Sequence, residues 1–413
     1  MKRIAMISYH TCPLASEEGK ETGGMNVYVL ELSRELAAMG HDVDMFTRSQ
    51  DIHNTYVVEI APRLRLVHLV AGPQAPVSKK EIRPYIPQFI ANYHAFCREH
   101  AVAHDVIHAH YYLSGLIGLQ LQSEKKEKKL PLVLSFHTLA LMKNLVARDI
   151  GEKEDTGRID AEMLLVKQAH HIIAASESDK SYLRYLYDAS ENLVSAIPPG
   201  VNTQLFKPMY MNEAKKHIGI SEQDKMILFV GRIEPLKGID MLMYAMKIVT
   251  QRNPRLPVCL CIVGGDVSQP KSSWTRTLRS LDAVRQVLHM STTVNFVGRQ
   301  KQETLPYFYN ACEMVVMPSH YESFGIAALE AMSCGVPVIT TNVAGVSSLI
   351  DEKHSSLVTS VNNPLLLATQ IEALLHHPEK RQEMGCDIRK NVLDLSWKNI
   401  ARRVSSVYDN LSV

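Results

Sequence analysis

The sequence predicts an α/β protein built from two doubly wound parallel sheets, one in each half of the chain. Apolar strands alternate with amphipathic helical stretches from end to end, which is the pattern of consecutive βαβ units. Residues 198–208, which are rich in proline and glycine, interrupt this series near its middle, as a domain boundary does. The 413 residues suffice for two cores, each of roughly 200 residues.

The first half contains six apolar runs that have the length of strands and end in polar or turn-forming residues. A helix is expected after the first of them, over residues 25–39. Gly40 ends this helix, because glycine tolerates the left-handed conformation found there. The strands are expected at residues 4–8, 43–47, 106–109, 132–136, 171–174 and 193–197.

The second half has a similar organisation, although no short internal repeat is visible in the sequence. Helices are expected over residues 239–249 and 326–333, the second with Gly335 just beyond its end. Another helix is expected over residues 396–408. The strands of this half are expected at residues 226–230, 258–263, 294–297, 314–317 and 338–341.

Composition indicates a soluble globular protein and gives no argument for nucleic acid or an acidic membrane surface as a partner. The formal net charge is +2 and 21% of the residues are charged, so no basic surface is implied. No apolar run approaches the roughly 18 residues that span a bilayer, and a strand begins at once, which leaves no room for a signal peptide. Seven cysteines without metal-ligand spacing favour a reducing compartment, and we expect the cytoplasm.

Two glutamates, Glu322 and Glu330, frame the junction between a loop and the helix over residues 326–333. Gly325 lets backbone approach a ligand closely, and a helix N-terminus attracts anions. Carboxylates accept hydrogen bonds from hydroxyls, and the helix end beside them can bind phosphate. The segment is therefore suited to bind a nucleotide sugar. The alternative is a pair of surface charges. Apolar neighbours such as Phe324 disfavour it, because a buried carboxylate needs partners.

A basic loop follows the strand over residues 226–230. Gly231 breaks the strand, Arg232 follows it, and Lys237 and Gly238 precede the next helix. Arginine offers a bidentate fork and lysine a point charge, so the pair is suited to hold a diphosphate from two sides. The alternative is an ordinary solvated basic loop.

These two motifs together resemble the paired signature of the family 4 retaining glycosyltransferases, which have the GT-B fold. Residues 22–28, 108–115 and 137–144 are similar to a narrower branch, the D-inositol-3-phosphate glycosyltransferase type of mycothiol synthesis. Sucrose-phosphate synthases are near relatives, in which glutamine is typical where this chain has Met25.

The resemblance implies two Rossmann-like domains that face an interdomain cleft. Residues 1–205 are expected to bind the acceptor and residues 206–390 the nucleotide sugar. Residues 391–413 are expected to carry a helix that crosses back to the first domain. A homodimer is suggested by analogy alone, and the expected partners are small-molecule substrates.

The resemblance also assigns the donor site. Arg232 and Lys237 would neutralise the leaving diphosphate, so that no metal is required. No Asp-x-Asp motif is evident, so any Mg²⁺ would bind without a recognisable ligand motif in the chain. His137 would lie beside the donor sugar and contact its 6-hydroxyl rather than act as a general base. Further donor contacts are expected from Gly23 and Gly24 at the β-phosphate, Val297 and Arg299 near uracil, Glu322 on the sugar, Glu330 on the ribose, and Phe324 and Gly325.

The acceptor site is implied in the same way. Asn26 matches the position whose amide meets a polyol acceptor. For Lys79 and Arg158 an ordinary surface position is the alternative. His108 and His110 are interpreted as structural or as supports of the residues that contact substrate, because a metal site needs more ligands than can be assigned. The side chains expected to hold an acceptor phosphate are Lys79, Tyr111, Thr138, Lys143 and Arg158.

The implied activity is retaining transfer of glucose or N-acetylglucosamine from UDP to a phosphorylated polyol or sugar. An inositol phosphate is the favoured acceptor, and fructose 6-phosphate, as in sucrose-phosphate synthases, is the alternative. A UDP-sugar epimerase and a catalytically silent binding protein are alternatives of other classes. Residues 344–350 lack a glutamate and residues 354–357 a glycine that are common in the family, which leaves the donor sugar open.

Overall fold

The chain forms two compact units in a computed structural model that describes residues 1–15, 23–124, 130–342 and 345–411. The first unit is Met1–Gly200 together with the segment that starts at Trp397, and the second is Val201–Ser396. The sequence suggested divisions at 205–206 and 390–391, whereas the units divide after Gly200 and after Ser396.

The first unit is built on an eight-stranded sheet in the order β3-β4-β2-β1-β5-β6-β7-β8. Neighbouring strands are parallel except β3, which runs antiparallel to β4. Because β1 is flanked by β2 on one side and β5 on the other, the strand order reverses there. The strands are β1 (Arg3–Ile7), β2 (Asp42–Arg48), β3 (Val57–Ala61), β4 (Leu64–Leu69), β5 (Val106–His110), β6 (Leu132–Ser135), β7 (His171–Ala174) and β8 (Val194–Ala196).

Among the described residues, six α-helices lie between these strands in the chain. The first begins at Gly24 and buries Val29, Leu32 and Leu36, which recur at helical spacing and cover the sheet. Gly40 follows with a φ of 97°, the left-handed conformation expected at the end of this helix. The helices are α1 (Gly24–Ala38), α2 (Ile86–Glu99), α3 (Tyr112–Glu124), α4 (Ala140–Val146), α5 (Thr156–Gln168) and α6 (Glu177–Leu186).

Strands β3 and β4 are absent from the predicted strands, which is a correction to the sequence-based fold. They form a hairpin at the edge of the sheet, where β3 is only half-buried. An edge strand lacks the continuous apolar run that marks a central parallel strand. The alternation of Leu64, Leu66 and the residues between them was the available signal.

The second unit contains a six-stranded parallel sheet in the order β11-β10-β9-β12-β13-β14. Its predicted strands all occur, and β14 is a two-residue addition. The order reverses at β9, which lies between β10 and β12. The strands are β9 (Lys225–Val230), β10 (Val258–Val263), β11 (Val294–Gly298), β12 (Met314–Met317), β13 (Val338–Thr341) and β14 (Val358–Thr359).

Seven α-helices lie within the part of the second unit that the structure describes. The predicted helix over residues 326–333 has those bounds, with Gly335 in the left-handed conformation at a φ of 76°. The helices are α7 (Met211–Ile218), α8 (Ile239–Arg252), α9 (Arg276–Val287), α10 (Leu305–Ala311), α11 (Ile326–Ser333), α12 (Pro364–His376) and α13 (Pro378–Leu393).

The helix α14 (Trp397–Asn410) belongs to the first unit, where it packs against α1. Its apolar face buries Trp397, Ile400, Val404 and Tyr408. The Tyr408 hydroxyl lies 2.6 Å from Nδ1 of His108 on β5, so the helix also reaches a polar group of the sheet.

No helix within the described ranges is long and apolar enough to cross a membrane. All seven cysteines are free thiols.

Candidate functional site

The loops that follow β9 and β12 meet at the carboxyl edge of the second sheet. The Lys237 ammonium forms an ion pair with the Glu322 carboxylate, and both side chains are largely buried. Arg232 lies on the same loop as Lys237 and pairs with Glu234 at 2.7 Å. Two residues that the sequence assigned to one site are therefore in direct contact.

Backbone contacts hold these two loops together. The His320 amide donates to the Leu236 carbonyl over 2.8 Å. Gly238 adopts a φ of 64°, and a Cβ added there would lie 2.1 Å from the Pro318 carbonyl oxygen. Ligands of doubly wound sheets bind outside the strand ends where the strand order reverses, which is the position of these loops.

The start of α11 adds backbone donors to this edge. Gly325, with a φ of 100°, is the N-cap residue and provides no side-chain cap. The first amides of the helix are therefore available for an anion. The Phe324 side chain is buried, and its carbonyl accepts a hydrogen bond from Val346 over 3.0 Å.

Glu330 is buried inside α11 and receives two hydrogen bonds. The Tyr309 hydroxyl donates over 2.7 Å and the Gln302 amide over 2.8 Å. Burial raises the pKa of Glu330 to about 7 despite these two donors. The surface alternative for Glu330 is therefore wrong. Its partners were missed because they lie in a distant part of the sequence.

Three glycines lie at the ends of β10 and β11, at the same edge of the sheet. Gly264 and Gly265 follow β10 with φ values of 142° and 69°, and a Cβ on Gly264 would lie 1.9 Å from the Gly231 carbonyl oxygen. Gly298, which ends β11, has a φ of 82° and lies between the half-buried residues Val297 and Arg299. The Gly-Gly pair directly after an apolar strand was the missed signal for this turn.

In the first unit, the N-terminus of α1 lies after β1, where the strand order reverses. Gly23 caps the helix with extended backbone, and Gly24 is its first residue. The Asn26 amide donates to the Cys12 carbonyl over 2.6 Å and to the Thr11 hydroxyl over 2.9 Å. Its donors therefore hold the loop after β1. Residues 16–22, which the sequence included in this loop, lie outside the described residues.

Tyr111 and His137 follow the adjacent strands β5 and β6 in an unusual conformation. Their φ values are 74° and 61°, which bulky residues rarely adopt. Such backbone strain persists only where a well-packed surrounding structure maintains it, and it clusters at functional sites. Nothing in the local sequence predicts this conformation for either residue.

His137 is held by two aromatic side chains. Its Nε2 lies 2.9 Å from Nδ1 of the fully buried His110, and the Tyr28 ring meets it edge-on at 5.1 Å. Burial lowers the pKa of His137 to about 3. The ring is therefore neutral near neutral pH and is a weak base.

Arg158 is buried on α5, so the surface alternative for this residue is wrong. Its guanidinium pairs with Glu162 at 2.8 Å and with Glu154 at 2.9 Å. It donates to the Thr138 carbonyl over 2.8 Å and lies 4.7 Å from the centre of the Tyr111 ring. The structure thus brings three of the predicted acceptor residues together.

Two lysines join this cluster around the Glu154 carboxylate. Lys143 forms an ion pair with Glu154. Although burial raises the pKa of Glu154, the charges of Arg158, Lys143 and Lys79 hold it down at about 2. Glu154 is the counter-ion that sequence reasoning missed, and its role depends on contacts that the sequence does not show.

The described part of the chain contains no group of three or more His, Cys, Asp or Glu side chains arranged to hold a metal ion.

Comparison with known proteins defines the class of the chain. The family model described as glycosyl transferases group 1 matches residues 211–391, and the one described as glycosyltransferase family 4 matches residues 22–205. The D-inositol 3-phosphate glycosyltransferase of Corynebacterium efficiens is 33% identical over 98% of this chain and 95% of that protein. The enzyme of the same name from Corynebacterium diphtheriae is 32% identical over 100% and 95%.

Solved structures agree with this assignment. Sucrose-phosphate synthase (tll1590) from Thermosynechococcus elongatus has a TM-score of 0.89 and 30% identity, covering 100% of this chain and 99% of that one. Anabaena Alr3699/HepE, solved in complex with UDP and glucose, has a TM-score of 0.75 and 16% identity with full coverage of both chains, which shows the fold. The fold and these matches define a glycosyltransferase with the two Rossmann-like domains of the GT-B type. The chain belongs to glycosyltransferase family 4.

Proposed function

We propose that this glycosyltransferase moves glucose or N-acetylglucosamine from a UDP-sugar to a phosphorylated acceptor, preferably an inositol phosphate, with retention of configuration. The observation that carries the proposal is the buried cluster of Arg158 and Lys143 around Glu154, next to the strand-end residues Tyr111 and His137. Such a cluster is suited to a phosphate that approaches the reacting centre. The names of the curated relatives support an inositol phosphate as the acceptor.

The second unit would hold the donor. Arg232 and Lys237 supply the positive charge for the diphosphate, and Lys237 exchanges its partner Glu322 for phosphate when the donor arrives. Glu322 is then available for hydroxyls of the sugar. Glu330 would accept from the ribose hydroxyls, and the UDP in the complex of the Anabaena protein supports a uridine nucleotide. The backbone around Val297 and Arg299 would hold uracil, and Gly23 and Gly24 would contact the β-phosphate.

The reaction needs no nucleophile from the protein. An acceptor hydroxyl attacks the anomeric carbon on the face that UDP leaves, and the bond between that carbon and the β-phosphate oxygen breaks. The proton of the hydroxyl passes to the leaving phosphate, so the configuration is retained. The low pKa of His137 agrees with a binding role rather than with that of a general base. Because Arg232 and Lys237 supply charge, no step requires a metal ion.

The acceptor phosphate would take the place of Glu154 among the cations. Lys79, Lys143 and Arg158 would share it, with the Tyr111 and Thr138 hydroxyls as further hydrogen-bond partners. The Asn26 amide would turn from the Thr11 and Cys12 loop to a hydroxyl of the acceptor.

Release of UDP tests the proposal. UDP-glucose and UDP-N-acetylglucosamine are each offered with inositol phosphate, fructose 6-phosphate or no acceptor, and the anomeric configuration of the product is read by NMR. We expect release that requires inositol phosphate and a product with retained configuration. Release only with fructose 6-phosphate would favour the second candidate, which the 0.89 TM-score of the sucrose-phosphate synthase supports. Conversion of UDP-sugar to an epimer without an acceptor would contradict transfer.

A further inference from the structure

The buried side chains behind His137 form a connected row. His110, the last residue of β5, has no exposed surface. Its Nδ1 lies 2.9 Å from His137 Nε2, and its Nε2 lies 2.8 Å from the sulfur of Met6 on the neighbouring strand β1. His108 packs its ring 4.3 Å from that of His110, but its own nitrogens meet the hydroxyls of Ser135 and Tyr408.

The chemistry of the sulfur determines where the protons lie in this row. A thioether accepts a hydrogen bond and has no proton to donate. The His110 nitrogen that faces Met6 therefore carries the proton, since a lone pair there would face the lone pairs of the sulfur. A neutral imidazole has one N–H, so Nδ1 of His110 is an acceptor. The nitrogen that bonds to it, Nε2 of His137, must then carry the proton.

The rings of His110 and His137 are both neutral near neutral pH, so each carries a single N–H. Burial and the neighbouring rings of His108 and His137 hold the pKa of His110 well below its ordinary value. The pKa of His137 is also lowered by burial. Hydroxyl partners, such as those of His108, are able to donate or accept and fix no tautomer, so Met6 is the partner in the row that sets the direction.

We propose that Met6 and His110 are positioning residues that hold His137 as the Nε2–H tautomer, so that its Nδ1 offers a lone pair and no proton to the substrate. Nδ1 of His137 makes no hydrogen bond to any residue in the described ranges. It then accepts from a hydroxyl of the bound sugar and disfavours a group that only accepts. This specificity rests on the proposed function, whereas the tautomer itself does not.

NMR tests the tautomer without any substrate. The full chain is labelled with isotopic nitrogen in histidine, and long-range proton–nitrogen correlations distinguish protonated from unprotonated ring nitrogens. His137→Gln identifies the signals of His137. We expect a neutral His137 ring near neutral pH with its proton on Nε2. A proton on Nδ1, or on both nitrogens, would overturn the proposal.

Met6→Leu tests the origin of the tautomer, because leucine keeps a similar volume and removes the acceptor. We expect the proton of His110, and with it that of His137, to shift towards Nδ1. Met45→Leu is the matched control, since Met45 is equally buried and lies beside Met6 on β2. An unchanged tautomer in Met6→Leu would show that the sulfur does not set it and would refute the proposal.

A kinetic comparison tests the consequence for specificity. For the unaltered chain we expect kcat/KM for a UDP-hexose to exceed that for its 6-deoxy-6-fluoro counterpart, whose fluorine cannot donate a hydrogen bond, by about tenfold or more. This ratio should fall towards one in Met6→Leu and stay constant in Met45→Leu. A ratio that does not respond to Met6→Leu, although the tautomer shifts, would overturn the proposed specificity. If no UDP-sugar reacts at all, the proposed function fails, and the NMR result still decides the tautomer.

Discussion

Arg232 is expected to supply positive charge for the diphosphate at the loop after β9. It is only part-buried, and its ion pair with Glu234 is exposed to solvent, so it contributes little to folding. We expect Arg232→Ala to reduce turnover by roughly 10²–10³, the effect of losing one preorganised charge stabiliser. Steady-state release of UDP measures this. Arg255→Ala is the control, because Arg255 is exposed before β10, at the opposite edge of the sheet. Normal turnover in a folded Arg232→Ala chain would contradict the assigned role.

Glu330 couples the stability of the second unit to pH. Its pKa is about 4.5 in the unfolded chain and about 7 in the folded unit, because burial disfavours the carboxylate. The folded state therefore binds more protons between these values, and stability is highest below about pH 4.5 and falls as the pH rises through 7. This contribution amounts to about 3 kcal/mol at most. Glu330→Gln should remove it, because the amide does not titrate.

Urea unfolding at several pH values checks this prediction. The chain has two tryptophans, and in a Trp397→Phe background Trp274 reports on the second unit alone. We expect the urea midpoint to fall between about pH 5 and about pH 7.5 in this background, and to fall less when Glu330→Gln is added. If the urea midpoint changed with pH by the same amount in both chains, Glu330 would not titrate in this range.

Glu154 should oppose the binding of a phosphorylated acceptor while it stabilises the fold. Its carboxylate neutralises part of the charge of Lys143 and Arg158. Glu154→Gln should lower KM for that acceptor by about fivefold or more, since a unit charge about 4 Å away contributes about 1 kcal/mol even in bulk water. The thermal midpoint should fall, because the carboxylate is more favourably placed in the folded chain. Asp160→Asn, exposed on α5, is the control for net charge. A raised KM would place Glu154 among the groups that help binding.

At the scale of elements, the contact between the loops after β9 and β12 depends on Gly238. A Cβ there would lie 2.1 Å from the Pro318 carbonyl, so Gly238→Ala must separate the two loops. We expect loss of UDP binding by calorimetry and a lower urea midpoint from Trp274 fluorescence. Gly219→Ala is the matched control. Gly219 also has a positive φ, 74°, but open space around its Cβ position, so it should cost only about 1 kcal/mol. Similar losses in both variants would mean that the positive φ, rather than the clash with the Pro318 carbonyl, causes the loss of binding and stability.

The sequence predicted elements well where local signals are strong. Strands β10, β12 and β13 and helix α11 have the predicted bounds, because buried parallel strands are continuous apolar runs closed by turn residues. The edge hairpin of β3 and β4 was missed because neither strand is a continuous apolar run: β3 is half-buried, and Arg65 and His68 interrupt the buried strand β4. Within the candidate site, residue type and spacing suggested Arg232, Lys237, Glu322 and Glu330, whereas the acceptor residues were assigned through the resemblance to the family and stay predictions. The positive φ of His137 was not predicted, and neither was the ion pair of Glu154 with Lys143, which depends on how the chain turns between α4 and α5.

At the scale of the whole molecule, the first unit is assembled from two separate parts of the chain. Helix α14 supplies Trp397, Ile400, Val404 and Tyr408 to its core. Each such side chain contributes about 1.5–3 kcal/mol, and the sum is comparable with the roughly 5–15 kcal/mol that stabilises a domain. A chain that stops after Ser396 should therefore unfold its first unit and keep its second.

Hydrogen exchange measured by mass spectrometry checks this expectation. Peptides from α1 and β5 should lose protection in the shortened chain, while those from β9 and β12 should keep it. A chain that stops after Asn410 is the control, because it retains the whole of α14. Protection of α1 that survives removal of α14 would show that the helix is dispensable for the first unit.

The same arrangement gives synthesis on the ribosome a particular order. The second unit lies between the two parts of the first, and its roughly two hundred residues take about 10–40 s to translate. During this interval the apolar face of α1 has been made but its covering helix has not, so it is a natural binding surface for chaperones. The first unit to emerge is therefore the last to be completed.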